Sequence, residues 1–138
     1  MEWKKNSTFG MTAFLSFGFF WVTFAGLFAV PRWIGPASLE LGATSTALGY
    51  YLLAWALFVG LMFFGALRIN RALQIVFLTA TALLLLLALG EWTGSEIFTK
   101  LGGWVGIVCG LSGVYASIAQ VWNELYGREV LPLGPYKK

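Results

Sequence analysis

The sequence contains no histidine and a single cysteine, and charged side chains make up only 11% of its 138 residues. Without histidine, imidazole ligation of haem or zinc and any histidine proton relay are excluded. The lone Cys109 cannot form an internal disulfide, and in its apolar stretch it reads as a small buried hydrophobe. A soluble domain carries roughly 25% charged residues, so a soluble chain of this size would have too little polar surface to cover its core. The net charge of +3 does not mark a nucleic-acid partner either, because the cations are dispersed rather than clustered. No nucleophile–base pair and no metal-ligand cluster is present, so no catalytic residue, no metal, no cofactor and no enzymatic activity is expected.

What the chain has instead is long uncharged runs, at 6–31, 41–67, 72–90 and 101–123. A membrane helix needs about 20 mostly apolar residues, and each run is near that length or longer. The expected fold is all-α: a polytopic membrane helix bundle in one domain, 1–138, with four transmembrane helices at about 8–30, 46–67, 72–90 and 101–125. Asn6, Ser7 and Thr8 can cap the first helix, and Pro31 is expected to end it. Ser45 or Thr46 can start the second helix, and the short link 68–71 makes the second and third an antiparallel hairpin. Gly90 is expected to end the third helix and Gly127 the fourth, the latter in a left-handed conformation. Gly35-Pro36 signals a turn in the longer first loop.

The cations orient these spans. Lys4 and Lys5 precede the first, Arg68 and Arg71 join the second to the third, and Arg128, Lys137 and Lys138 follow the fourth. The alternate loops hold Arg32 with Glu40, and Glu91 and Glu96 with Lys100. By the positive-inside rule both termini face the cytoplasm. Trp3, Trp33, Trp92, Trp104 and Trp122 fall near the expected interfaces, where an indole N–H stays wet. Trp21 and Trp55 fall nearer mid-membrane, where they either pack between helices or face a polar lumen.

No ionisable side chain lies well inside a span. A small multidrug exporter, another four-helix design, would be expected to carry a glutamate in its first span, where a buried acid can trade a proton for substrate. The polar groups within the spans are neutral. Thr12 and Ser16 share one face of the first helix with Thr8, and the third offers Gln74, Thr79 and Thr81. Gly102, Gly106, Gly110, Gly113 and Ser117 line one face of the fourth, a small-residue pattern that lets helix backbones approach, within the chain or between copies. Hydroxyls in a span often bond only their own helix backbone, yet a hydroxyl-lined path also suits a short carboxylic acid.

Several strings resemble the acetate uptake transporters, also called succinate–acetate permeases. The resemblance starts in Glu2-Trp3-Lys4-Lys5 and runs through Ser16-Phe17-Gly18-Phe19-Phe20-Trp21. It continues in Met62-Phe63-Phe64-Gly65 and Leu73-Gln74-Ile75, then in Gly103-Trp104-Val105-Gly106. It closes with Asn123-Glu124, Tyr126-Gly127-Arg128 and Val130-Leu131-Pro132-Leu133-Gly134. Members of that family are six-helix proteins that assemble as hexamers and move acetate and related small carboxylates with protons. The resemblance therefore implies a multi-pass permease of the plasma (cell inner) membrane, a homo-oligomer, with the lipid bilayer and a small carboxylate as partners. It aligns these four spans with family helices three to six, with no counterpart for the family's Asn-Pro-rich opening and first two helices.

Phe17 stands where the family usually has tyrosine, keeping an aromatic wall and losing a hydroxyl. A hydrophobic constriction passes a neutral acid more easily than its anion, because stripping water from a carboxylate costs far more. Phe17 and Trp21 are candidate gate residues by this motif; Thr12, Ser16, Thr79, Tyr115 and Asn123 are candidates by polarity and helix face. The alternative is a non-transporting, truncated or accessory subunit that assembles through its glycine face.

Overall fold

The computed structural model describes residues 8–34 and 44–134. Expectations resting on Trp3, Lys4, Lys5, Asn6, Ser7, Gly35, Pro36, Glu40, Lys137 and Lys138 lie outside them, as do the side chains of Arg32 and Trp33. The described residues form four helices: α1 (Thr8–Ile34), α2 (Ser45–Ala66), α3 (Arg71–Thr93) and α4 (Glu96–Tyr126). Each is long and apolar enough to cross a membrane, α1 through its segment Thr8–Leu27. The chain divides into two compact units, Met1–Leu48 and Gly49–Lys138.

In the first unit α1 continues through Pro31 to Ile34, beyond the stop expected at the proline. Proline removes one N–H and crowds the carbonyl four residues earlier, but membrane helices tolerate it where local adjustment re-satisfies the freed carbonyl. α2 starts at Ser45, one of the two starts read from the sequence, and Thr44 caps it. The Thr44 hydroxyl accepts the Ala47 N–H at 3.3 Å.

The second unit is an up-down-up arrangement. Gly49 of α2 lies against Trp92 of α3 and Gly60 against Thr81, so these helices run antiparallel, as the short link between them requires. Along α4, Gly102 meets Leu86 and Leu87, Gly106 meets Leu83, and Cys109 Sγ donates to the Val76 carbonyl at 3.7 Å, again antiparallel. The deepest side chains are small: Ala56, Ala66, Ala88 and Ala119 are at most 1% exposed. Lipid tails are as apolar as leucine, so burying large side chains between helices gains little; small residues that admit close backbone approach do the joining. Gly49 is the tightest such point, because a Cβ there would overlap the indole of Trp92. Gly49→Ala is expected to push the Trp92 ring out of its seat beside Tyr50, read as a change in Trp92 fluorescence in a variant with the other six tryptophans replaced by phenylalanine. An unchanged emission would mean that the ring does not rest on Gly49.

On both sides of the α3–α4 turn the helix ends depart from the charge boundaries. α3 passes Gly90 and stops at Thr93, where Gly94 takes the left-handed conformation (φ 63°). Gly90 is instead buried against Thr99 of α4. α4 begins at Glu96, ahead of the expected 101. An acid in the first turn complements the helix dipole, and Lys100 pairs with Glu96 at 2.8 Å in the favoured i, i+4 order. Both groups are exposed, so the pair adds only about 0.3–0.5 kcal/mol; it shapes the helix start without holding the bundle. Gly127 ends α4 at φ 61°, the left-handed cap read from the sequence.

Candidate functional site

Four of the candidate path residues, Thr12, Ser16, Phe17 and Trp21, lie on α1. Phe17 and Trp21 are four residues apart and so share a face. Trp21 is 63% exposed in this chain and makes edge contacts with Phe20 (5.2 Å between ring centroids) and Phe24 (6.2 Å). Phe20 and Phe24 stack at 5.5 Å, so the mid-helix carries a continuous aromatic strip. The Ser16 hydroxyl donates to its own helix, to Ala13 O at 2.9 Å. Thr79 on α3 does likewise, to Ile75 O at 2.7 Å. An O–H tied to the backbone still presents oxygen lone pairs, so both side chains can accept a hydrogen bond from a protonated acid.

The other two candidates, Tyr115 and Asn123, are held by the segment after α4, which is the feature that sequence reasoning missed. α4 has 31 residues, a length of about 46 Å at 1.5 Å per residue against a hydrocarbon core of about 30 Å. Cys109 sits level with Val76, so about three turns of α4 project past the start of α3. From Gly127 the chain turns back along that projection as a strap, 128–134. Asn123 pins it. Its Oδ1 accepts the N–H groups of Val130 (2.7 Å) and Leu131 (3.0 Å), and its Nδ2 donates to Leu131 O (2.8 Å). The side-chain amide thus pairs with Leu131 as another peptide group would. Tyr115 Oη donates to Pro132 O at 2.9 Å.

The end of the strap closes the start of α3. The first N–H groups of a helix have no partner within it. Here Arg71 N–H donates to Gly134 O and Ala72 N–H to Leu133 O, both at 3.2 Å, while Asn70 Oδ1 takes the Leu73 N–H at 2.8 Å. Gly134 adopts φ 62° with the Arg71 stem 3.1 Å from where a Cβ would stand, so both conformation and space demand glycine. Gln74 Nε2 reaches back to the Ala66 and Leu67 carbonyls at 3.4 and 3.3 Å, tying in the end of α2. Asn70, Gln74, Tyr115 and Asn123 therefore form a polar clasp that joins three helices and the strap at the end bearing Arg68, Arg71 and Arg128. The sequence signal for it was the run Leu131-Pro132-Leu133-Gly134 beyond a helix-ending glycine. No periodicity shows which earlier residues it folds onto.

The glycine face of α4 divides in two. Gly102 and Gly106 are spent inside the chain against α3, whereas among the described residues a Cβ at Gly110 or Gly113 would meet nothing within 4 Å, and Ser117 is exposed. Among the described residues no group of three or more histidine, cysteine, aspartate or glutamate side chains could hold a metal ion.

A model of the GPR1/FUN34/yaaH family matches residues 1–132. The succinate-acetate/proton symporter SatP of Escherichia coli (strain K12) is 41% identical over 134 residues, which cover 97% of this chain and 69% of the relative. Ammonia transport outward protein 2 of Saccharomyces cerevisiae is 31% identical over 123 residues, 87% of this chain and 43% of that one. Among solved structures, the bacterial acetate channel SatP matches with a TM-score of 0.88 at 40% identity, covering 96% of this chain and 71% of that chain.

Proposed function

Because this chain belongs to the GPR1/FUN34/yaaH family, we propose that it is a subunit of a permease that moves acetate and related small carboxylates, succinate among them, together with protons. It is a multi-pass membrane protein and a transporter rather than an enzyme. The observation that carries the solute is the 41% identity to a succinate-acetate/proton symporter, spread over 97% of this chain. We place it in the cell's inner, plasma membrane with the arginine-bearing end at the cytoplasm, and in a homo-oligomer, a hexamer by family resemblance. Phe17 and Trp21 supply the aromatic constriction, and Thr12, Ser16 and Thr79 the hydroxyls that a neutral acid passes. Tyr115 and Asn123, whose polar groups also hold the strap, complete the candidate path residues. The open half of the glycine face, Gly110 and Gly113, meets another copy.

Passage as the neutral acid carries the proton with its own carboxylate and needs no titrating side chain in the constriction. The test is uptake of labelled acetate into proteoliposomes at fixed total acetate and varied external pH. Above the solute's own pKa each unit of pH lowers the neutral fraction about tenfold, so the initial rate is expected to fall steeply as pH rises. A rate independent of pH would show that the anion passes. No uptake at any pH by protein that is folded and correctly oriented would overturn the assignment itself.

A further inference from the structure

A pocket of about 290 Å³ opens in the second unit, between the first turns of α3, the middle of α4 and the strap. Ala72, Ile75, Ser112, Tyr115, Pro132 and Leu133 line it, and its walls are almost wholly apolar. The one cation in its lining is Arg71, an exposed residue whose stem packs on Gly134. No acidic side chain pairs with Arg71 among the described residues. The pocket therefore joins an apolar recess, within the first two turns of a membrane span, to an uncompensated guanidinium at the end of that span.

Acetate does not suit this recess, which offers a small carboxylate much apolar wall and little to bond with. An amphiphile with a long apolar tail and an anionic head does suit it. The tail gains burial roughly in proportion to its area, and the guanidinium pairs with phosphate oxygens in two parallel hydrogen bonds. Basic pockets between membrane helices on the cytoplasmic side recognise anionic head groups on these grounds. We propose that the pocket is a binding site for an anionic phospholipid, with an acyl chain between α3, α4 and the strap and the phosphate on Arg71. The strap then acts as one wall of a lipid site, so a bound lipid holds the ends of α3 and α4 together. The site does not depend on which solute is carried.

Native mass spectrometry of the purified full chain, titrated with phosphatidylglycerol or phosphatidylcholine of the same acyl chains, tests this directly. The wild type is expected to retain phosphatidylglycerol at least tenfold better than phosphatidylcholine. Arg71→Ala should remove that preference, Arg71→Lys should keep part of it, and Arg128→Ala, a cation at the same end that does not line the pocket, should leave it intact. Ser112→Leu, which fills the recess from α4 and replaces none of the clasp residues, should weaken both lipids. Equal retention of the two lipids by the wild type would overturn the proposal, and so would a preference that survives both Arg71→Ala and Ser112→Leu. Competition by glycerol phosphate as effective as by the whole lipid would show an anion site without a tail pocket, which also overturns it.

Discussion

Asn123→Ala is expected to release the strap while leaving the four helices in place. The side chain makes three hydrogen bonds to Val130 and Leu131, each contributing about 1 kcal/mol net. Their loss shifts the strap's opening equilibrium by about a hundredfold, since about 1.4 kcal/mol is a factor of ten. The consequence is read far along the chain, at the start of α3. With the strap free, the N–H groups of Arg71 and Ala72 lose the Gly134 and Leu133 carbonyls that now accept them. Hydrogen exchange at these two amides should then accelerate by about the same factor, while mid-helix amides of α3 stay protected. Asn123→Asp is the informative companion. A carboxylate still accepts from the two N–H groups but can no longer donate to Leu131 O, and faces that carbonyl with like charge. It should fall between wild type and alanine. If the Arg71 and Ala72 amides exchange at the wild-type rate in Asn123→Ala, the clasp does not hold the strap.

The second large effect separates glycines that look alike in the sequence. At Gly90 an added Cβ would stand 2.7 Å from Thr99 Oγ1 and 3.3 Å from Thr99 N. The hydroxyl can rotate away, but the backbone nitrogen of α4 cannot move without opening the α3–α4 turn. Gly90→Leu is expected to cost about 3 kcal/mol or more through overpacking, seen as a large fall in the yield of folded protein and in its thermal midpoint. At Gly110 a Cβ meets nothing within 4 Å among the described residues, and leucine is the better helix former by about 0.8 kcal/mol. Gly110→Leu should therefore fold as well as wild type, and its expected defect is in assembly, a shift toward monomer in size-exclusion chromatography with light scattering. An unfolded Gly110→Leu would contradict the packing described for α4. A folded, fully oligomeric Gly110→Leu would mean that this half of the glycine face is not where copies meet.

Four apolar runs between charges were legible without coordinates, because the cost of a charge in lipid makes composition alone report the spans. The helix ends were less legible. Charges mark where membrane ends, whereas helices end where capping groups and left-handed glycines stand, so α4 starts at Glu96 with charged residues inside it and α3 passes Gly90 to Gly94. The aromatic candidates Phe17 and Trp21 could be named from one local string, since residues four apart on one helix share a face whatever surrounds it. Tyr115 and Asn123 were identifiable only as polar residues on α4. That their partners are Pro132, Val130 and Leu131 depends on the chain reversing after Gly127.

Composition, charge placement and one conformational preference, the left-handed glycine at 127, are local properties, and from them the sequence by itself determined a four-span membrane bundle and the antiparallel pairing of its second and third helices. Only the tertiary structure decided which small residues are spent inside the chain and which are left open, and that a strap returns to satisfy the free N–H groups of α3. Those outcomes rest on register: Gly102 and Gly110 belong to one repeating pattern, yet among the described residues Leu87 stands opposite the first and nothing opposite the second. A repeat of identical side chains carries no information about what the neighbouring helix presents at each level.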